Sequence, residues 1–211
     1  EIEALPIPNL GLSSQDWFVG GVWPKLGIYD QYFHGLKGRM LFIDLDMMII
    51  SDLDSFFDLP GQFVGIDAGP GWGRPNMNVT PELGSALVAF DIGSLGHLVE
   101  KFQNEKVEIM RRFRTEQAYT ESELNDIDFW PEGWVISFKR SCRRPVLVDF
   151  FLEPKPPSPT AKVLAFHGIP RPIDLIGQGR SFWYRFPHFG YWKFSWMVNY
   201  WHENGGGVLS D

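Results

Sequence analysis

Apolar residues occur along the chain in two arrangements, short continuous runs and longer stretches with a spacing of three or four. The continuous runs predict strands, and the stretches with helical spacing predict amphipathic helices. We predict strands at residues 40–43, 47–50, 63–66, 87–90, 134–138, 146–151 and 163–166, and helices beginning near Pro24, Ser94 and Thr115. Because strands and helices alternate, the pattern predicts an α/β sheet.

Two carboxylates follow the apolar run 40–43, in the sequence Asp44-Leu45-Asp46. Side chains at positions i and i+2 of an extended chain project to the same side, so both carboxylates can face one cation. Oxygen ligands suit Mg²⁺ or Mn²⁺, and open α/β sheets bind ligands at the carboxyl ends of their strands. The motif is a candidate metal site, while a turn in which both residues only accept backbone hydrogen bonds remains the alternative.

The composition narrows the functional classes. The 211 residues suit a single domain, and their formal net charge of −7 argues against binding to the phosphate backbone of nucleic acids. Cys142 is the single cysteine, so neither an internal disulfide nor a multi-cysteine zinc site can form. We expect no transmembrane segment and no signal peptide, and a location in the cytoplasm or at the inner face of a membrane.

Four segments, in order along the chain, carry a resemblance to a known family. Lys25 in a predicted helix, residues 38–46 (GRMLFIDLD) and residues 52–57 (DLDSFF) together resemble the metal-binding stretch of GT-A glycosyltransferases of the glycogenin and lipopolysaccharide galactosyltransferase type, which are family 8-like. Residues 83–91 are similar to the family's Asn-x-Gly segment, and residues 115–117 stand where the family has Asp-Gln. Residues 166–172 (FHGIPRP) are similar to its late His-Gly-Lys-Pro motif.

The resemblance, which covers roughly residues 20 to 173, implies a fold and an activity. The fold would be a GT-A-like, open, mostly parallel but mixed sheet flanked by helices. Residues 1–180 would form the catalytic domain, with its first nucleotide-binding βαβ unit missing or truncated, and the aromatic-rich segment 181–211 would pack on it. The activity would be metal-dependent transfer of a hexose from a nucleotide sugar, by analogy a UDP-sugar, to a glycan, lipid or protein acceptor.

The resemblance also assigns roles to individual residues. Asp44, Asp46 and His167 would hold Mn²⁺ or Mg²⁺. Glu116 and Gln117 would be the catalytic residues and, with Ser85, would line the donor sugar. The residues that would bind the nucleotide sugar are Lys25, Asp44, Ser85, Gly168 and Arg171.

Several positions depart from the family pattern and indicate a divergent branch. Gly84 stands in place of the usual Asn, Ala86 in place of Gly, and Glu116 in place of Asp. Gly168 follows His167 directly, whereas glycogenin-like members have two residues between them. Because Gly84 replaces Asn, a side-chain amide that could contact the sugar is missing.

Two other functional classes stay open at this stage. A non-catalytic glycan-binding module of the same fold would account for the aromatic content and the carboxylates. A haloacid-dehalogenase-type phosphatase also has an apolar strand that runs into Asp-x-Asp, but it requires Thr or Val where this chain has Met48.

Two geometric expectations can be checked in a structure. We predict that Asp44, Asp46 and His167 converge on one cation, because strand ends at one edge of a parallel sheet meet. We also predict that the segment from Phe182 to Trp201, in which 11 of 20 residues are aromatic, packs on the rest of the domain.

Overall fold

The structure is a computed structural model, and it describes residues 4–12, 23–69, 72, 82–176 and 194–207. The chain divides into two compact units. Unit 1 consists of Glu1–Ile43 and Asp54–Trp130, and unit 2 consists of Asp44–Leu53 and Pro131–Asp211. The predicted boundary at residue 180 lies outside the described residues.

The regular elements of the described residues are seven strands and five α-helices. The strands are β1 Arg39–Ile43, β2 Met47–Ile49, β3 Phe63–Asp67, β4 Leu83–Asp91, β5 Asp128–Phe129, β6 Val135–Ser137 and β7 Val163–Ala165. The helices are α1 Gly96–Arg112, α2 Glu116–Glu123, α3 Val146–Asp149, α4 Pro172–Ile176 and α5 Ser195–Glu203. Three 3₁₀ segments, Trp23–Tyr29, Phe33–Gly35 and Asp54–Phe56, and one π-helical turn, Phe138–Cys142, complete the description.

Unit 1 is built around a four-stranded sheet in the order β1-β4-β3-β5. The inner strand β4 is antiparallel to β1 and β3, and β3 is parallel to β5. The apolar faces of α1 and of the segment Trp23–Tyr29 cover this sheet, and the Trp23 ring stacks on Phe102 at 5.3 Å between centroids. The burial of these large rings stabilises the unit through the apolar surface that they remove from water.

Unit 2 contains a three-stranded sheet in the order β2-β7-β6. The middle strand β7 is antiparallel to β2 and parallel to β6. Its core includes Phe138 stacked on Phe166 at 4.7 Å, and Trp196 and Tyr200 of α5 pack against this core. The Tyr200 hydroxyl donates a hydrogen bond of 2.6 Å to the Ile49 carbonyl oxygen, so α5 is held to the edge strand β2. Residues 177–193 lie outside the described part, so the packing of the whole segment 181–211 stays a prediction.

The predicted mixed α/β class is confirmed, with two corrections to its details. The described strands form two sheets rather than one, and three of their five pairings are antiparallel, so the sheets are not mostly parallel. A continuous apolar run is typical of a strand buried on both faces, but β1 is half-buried because it lies at the edge of its sheet. Among the described residues, no helix has both the length and the apolar character that a membrane crossing requires.

The strand predicted at residues 146–151 is wrong, because Val146–Asp149 is helical. The carbonyl oxygen of Pro145 accepts hydrogen bonds from the amides of Val148 and Asp149, which closes a helical turn. The buried Asp149 carboxylate then accepts a hydrogen bond of 2.7 Å from the Arg144 amide. A short apolar run does not distinguish strand from helix, and here local hydrogen bonds decide for the helix.

Candidate functional site

Unit 1 contains a buried polar cluster made of Lys25, Ser85, Glu116 and Gln117. The Lys25 ammonium donates to the Ser85 hydroxyl at 3.4 Å, and that hydroxyl lies 3.1 Å from Oε1 of Glu116. The Ser85 amide donates to the side-chain oxygen of Gln117 at 3.2 Å. Lys25, Ser85 and Glu116 are each more than nine-tenths buried, whereas Gln117 is half-buried and is the most accessible member of the cluster.

Three separate elements supply these side chains. The Thr115 hydroxyl accepts a hydrogen bond from the Ala118 amide and caps α2, which begins where the sequence predicted a helix and has Glu116 and Gln117 in its first turn. Ser85 lies on the inner strand β4, and the Lys25 ammonium lies over the Phe42 ring at 4.7 Å from its centroid. The structure therefore brings together all four residues that the sequence selected in this unit, while their roles stay predictions.

The chemistry of this cluster suits a polyhydroxylated ligand. Its groups include an ammonium donor, a hydroxyl, a carboxylate acceptor and an amide, and together they can donate to and accept from sugar hydroxyls. Burial of charged groups costs free energy unless they are hydrogen-bonded. Here Lys25 and Glu116 each form a hydrogen bond with Ser85, which offsets part of this cost.

The packing of β4 against β3 explains why position 84 is glycine, where the family pattern has Asn. It pairs with Ile66 of β3 where the register of the two strands shifts. A Cβ atom at this position would lie 2.9 Å from the Cβ atom of Ile66, which is closer than carbon atoms pack. A side chain such as Asn does not fit here unless β3 and β4 move apart.

In unit 2, the Asp-Leu-Asp motif lies next to the His167 segment through backbone pairing. Asp44 and Asp46 are half-buried in the turn before β2, where the Met47 amide donates to the Asp44 carbonyl oxygen. Met47 pairs with Ala165, and the Phe166 amide donates to the Asp46 carbonyl oxygen at 3.1 Å. The predicted proximity of the two motifs in the fold thus arises from an antiparallel pairing of β2 with β7, not from the ends of parallel strands.

His167 is held by two residues near the end of β6. Its Nε2 atom lies 2.7 Å from the hydroxyl of the buried Ser137, and its carbonyl oxygen accepts a hydrogen bond of 2.6 Å from the Lys139 ammonium. Burial, together with the positive charges of Lys139 and Arg140, lowers the pKa of His167 below its ordinary value. This lowering favours the neutral imidazole, which is the form that binds metal ions.

No group of three or more His, Cys, Asp or Glu side chains in the described ranges is arranged to hold a metal ion. Asp44, Asp46 and His167 lie within these ranges, so the structure does not gather their side chains around one cation position, and their joint ligation of a metal ion stays a prediction. The donor set itself suits Mn²⁺ or Mg²⁺, since two carboxylates and a neutral imidazole are ligands that these ions accept.

Gly168 and Arg171 lie in the turn that follows His167. Gly168 has a φ of +74°, a conformation that residues with a side chain rarely adopt, so glycine is required for this turn. The Arg171 guanidinium is about half exposed and pairs with the buried Asp174 at 3.5 Å, and the Arg171 amide donates to the same carboxylate at 2.9 Å. Asp174 thus orients a partly accessible cation next to the His167 turn.

The sequence reasoning missed Ser137, Lys139 and Arg140. Burial and the charges of Arg143 and Arg140 lower the pKa of Lys139 from its ordinary value. The available signal was the run of basic residues around Cys142, KRSCRR.

The chain is only weakly similar to known proteins. No protein-family model and no curated protein matches the chain. Two solved structures of the glycosyltransferase GlyE from Streptococcus pneumoniae TIGR4, one of them the apo form, match with TM-scores of 0.45 and 0.44 and identities of 14% and 15%. The matches cover 86% and 85% of this chain but 47% and 46% of theirs, so the chain spans about half the length of these structures. A likeness at this level carries no argument about activity.

Proposed function

We propose that the chain is a metal-dependent glycosyltransferase that transfers a hexose from a nucleotide sugar, a UDP-sugar by analogy, to a glycan, lipid or protein acceptor. The observation that carries this proposal is the buried polar cluster of unit 1. Lys25, Ser85 and Glu116 come from segments far apart in the sequence, yet they form one hydrogen-bonded group.

The cluster favours a sugar-binding role over a purely structural one. A buried lysine and a buried glutamate add little to stability compared with apolar residues of the same size, because their desolvation offsets their attraction. Burial of both next to the half-buried Gln117 is typical of a site whose polar groups serve a ligand. In this role Glu116 and Gln117 accept hydrogen bonds from the hydroxyls of the donor sugar.

The residues of unit 2 would hold the cation and the diphosphate. Asp44, Asp46 and His167 are the proposed ligands of Mn²⁺ or Mg²⁺, and when bound this ion would offset the negative charge of the leaving diphosphate. The tight turn at Gly168 would let backbone amides approach the diphosphate, and the Arg171 guanidinium would pair with its oxygens.

The proposal can be tested by thermal unfolding of the 211-residue chain with UDP and Mn²⁺, separately and together. A ligand that binds only the folded state raises the melting temperature, so we expect UDP to do so only when Mn²⁺ is present. EDTA should abolish the shift. A glycan-binding module would instead respond to free oligosaccharides and not to UDP with Mn²⁺, and this result would contradict the proposal.

The transfer itself is measured by release of UDP from UDP-glucose and UDP-galactose. Water takes the place of the acceptor in this assay, so the assay needs no known acceptor. Replacement of Glu116 by Gln should lower the release by at least about tenfold. The matched control is Glu132→Gln, at an exposed position in unit 2 that belongs to neither site.

A further inference from the structure

Unit 2 contains a cationic pocket whose lining residues have no role in the proposed transfer reaction. The cavity has a volume of about 470 Å³, and its lining consists of Lys139, Arg140, Arg143, Arg144, Pro145 and Val146. Four of the 19 lysines and arginines of an otherwise acidic chain therefore surround one cavity. Such a concentration of positive charge attracts an anion.

Two of these cations are oriented by the fold. The Arg143 Nε atom pairs at 3.4 Å with Asp149, whose side chain is fully buried, and the Arg144 Nε atom donates to the Glu153 carbonyl oxygen at 2.9 Å. Contacts through Nε orient the guanidinium group, and a planar guanidinium in a defined orientation recognises phosphate oxygens well.

Two acidic residues next to the pocket, Asp149 and Glu153, accept hydrogen bonds within unit 2. Asp149 accepts hydrogen bonds from the Arg144 amide and from Arg143. The Glu153 carboxylate accepts hydrogen bonds of 2.8 and 2.9 Å from the amide and the hydroxyl of Ser195. The four cations of the lining outnumber the carboxylate of Asp149, so the pocket keeps a net positive charge.

An exposed apolar segment is continuous with the pocket. Val146 lines the cavity and also begins α3, where Leu147 is 79% exposed. Phe151, 65% exposed, and Leu152 follow directly after this helix, and the Phe151 ring packs edge-on against Phe150. The cationic pocket suits the anionic head of an amphiphile, and the exposed apolar groups beside it suit the apolar part of the same molecule.

We propose that this surface binds anionic phospholipid at a membrane. The phosphate of a lipid headgroup occupies the pocket formed by Lys139, Arg140, Arg143 and Arg144. Leu147, Phe151 and Leu152 enter the boundary between headgroups and acyl chains, where apolar and aromatic side chains are stabilised. A free phosphate ion would use the pocket alone and would leave the apolar segment in water. This proposal does not rest on the glycosyltransferase activity.

The test is co-sedimentation of the full chain with vesicles, in EDTA and without nucleotide, so that the result is independent of the proposed transfer reaction. The vesicles consist of phosphatidylcholine alone or with phosphatidylglycerol. We expect binding only to the vesicles that contain phosphatidylglycerol, and weaker binding at high salt.

Two variants separate the two halves of the surface. Arg140→Glu, at an exposed position, should weaken binding by at least about tenfold, since it changes the local charge by two. Leu147→Asp should weaken it by about tenfold or more, through the lost apolar contact and the repulsion between the new carboxylate and anionic lipid. The matched controls are Arg114→Glu and Val107→Asp, at exposed positions of unit 1, which should leave binding unchanged.

Melting temperatures establish that each variant folds, and Arg140→Ala replaces Arg140→Glu if the charge reversal prevents folding. Absence of binding to phosphatidylglycerol vesicles would overturn the proposal. So would binding that Leu147→Asp leaves unchanged while inorganic phosphate competes with the vesicles, because the pocket would then be a site for free phosphate. Binding that both variants weaken and both controls retain supports it.

Discussion

The Ser85 hydroxyl donates a hydrogen bond of 3.1 Å to Oε1 of Glu116, and both side chains are more than nine-tenths buried. The same hydroxyl accepts from the Lys25 ammonium at 3.4 Å. One small side chain on β4 thus connects a cation and an anion that arrive from different segments. Ser85 is thus hydrogen-bonded to the other three members of the cluster.

Replacement of Ser85 by Ala should lower the free energy of unfolding by about 1–3 kcal/mol, because Glu116 and Lys25 each lose a buried partner. Urea unfolding measures this change. Ser158→Ala, which removes an exposed hydroxyl, should change stability by no more than about 0.5 kcal/mol. Equal stability of the two variants would show that the bonds of Ser85 contribute nothing to the fold.

Replacement of Gly84 by Ala should also destabilise the chain, by about 1–3 kcal/mol. The added methyl group would approach the Cβ atom of Ile66 to 2.9 Å and force two neighbouring strands apart. Chemical unfolding again gives the value. At Gly207 a Cβ atom would meet no neighbour within 4 Å, so Gly207→Ala serves as the control and should be close to neutral.

The proposed metal ligands can be tested by calorimetric titration with Mn²⁺ and UDP. Asp46→Asn and His167→Gln should each weaken Mn²⁺-dependent UDP binding by at least about tenfold, because each removes a ligand of the cation. Asp58→Asn and His97→Gln, both at exposed positions, are the controls. UDP affinity that chelation of the metal leaves intact would contradict the assignment.

Arg171→Ala should weaken UDP binding while leaving the affinity for Mn²⁺ alone unchanged, since the guanidinium would contact phosphate oxygens and not the ion. Loss of its pair with the buried Asp174 also lowers stability, so melting temperatures are measured in parallel. The conservative variant Arg171→Lys should restore part of the UDP affinity. Equal losses of Mn²⁺ and UDP binding in the alanine variant would count against a separate diphosphate contact.

Cys142 should resist alkylation in the folded chain. Burial raises the pKa of its thiol from 9.0 to about 11, so the reactive thiolate is about a hundredfold rarer at pH 8 than for an ordinary cysteine. Iodoacetamide labelling followed by mass spectrometry should show little modification below pH 9 and rapid modification in urea. Rapid labelling at pH 7 without denaturant would mean that the thiol is accessible and ionised.

Local patterns predicted the individual elements better than their assembly. Strands β1, β3 and β7 follow from continuous apolar runs, and α2 follows from its Thr115 cap. The division into two sheets could not be predicted, because the pairing of Met47 with Ala165 joins positions that no local period connects. The helix α3 was missed since its turn depends on hydrogen bonds to Pro145 and Asp149 rather than on apolar spacing.

The candidate site was predictable where residue type and motif agreed. The family resemblance selected Lys25, Ser85, Glu116 and Gln117 from separate segments of the chain, and the fold brings them together. Ser137 and Lys139 were missed because their contacts with His167 depend on the parallel pairing of β6 with β7. A contact between residues 28 positions apart in the sequence cannot be predicted from the local pattern around either residue.

The strand β2 belongs to a short excursion, Asp44–Leu53, that leaves one unit, completes the sheet of the other and then returns. Its partner β7 is synthesised more than a hundred residues later. The apolar strand β2 therefore remains unpaired during translation until β7 has been made. Residues 131–211 expressed alone would carry β7 as an open edge, which is a template for aggregation. Co-expression of that fragment with a peptide of residues 44–53 should restore its solubility.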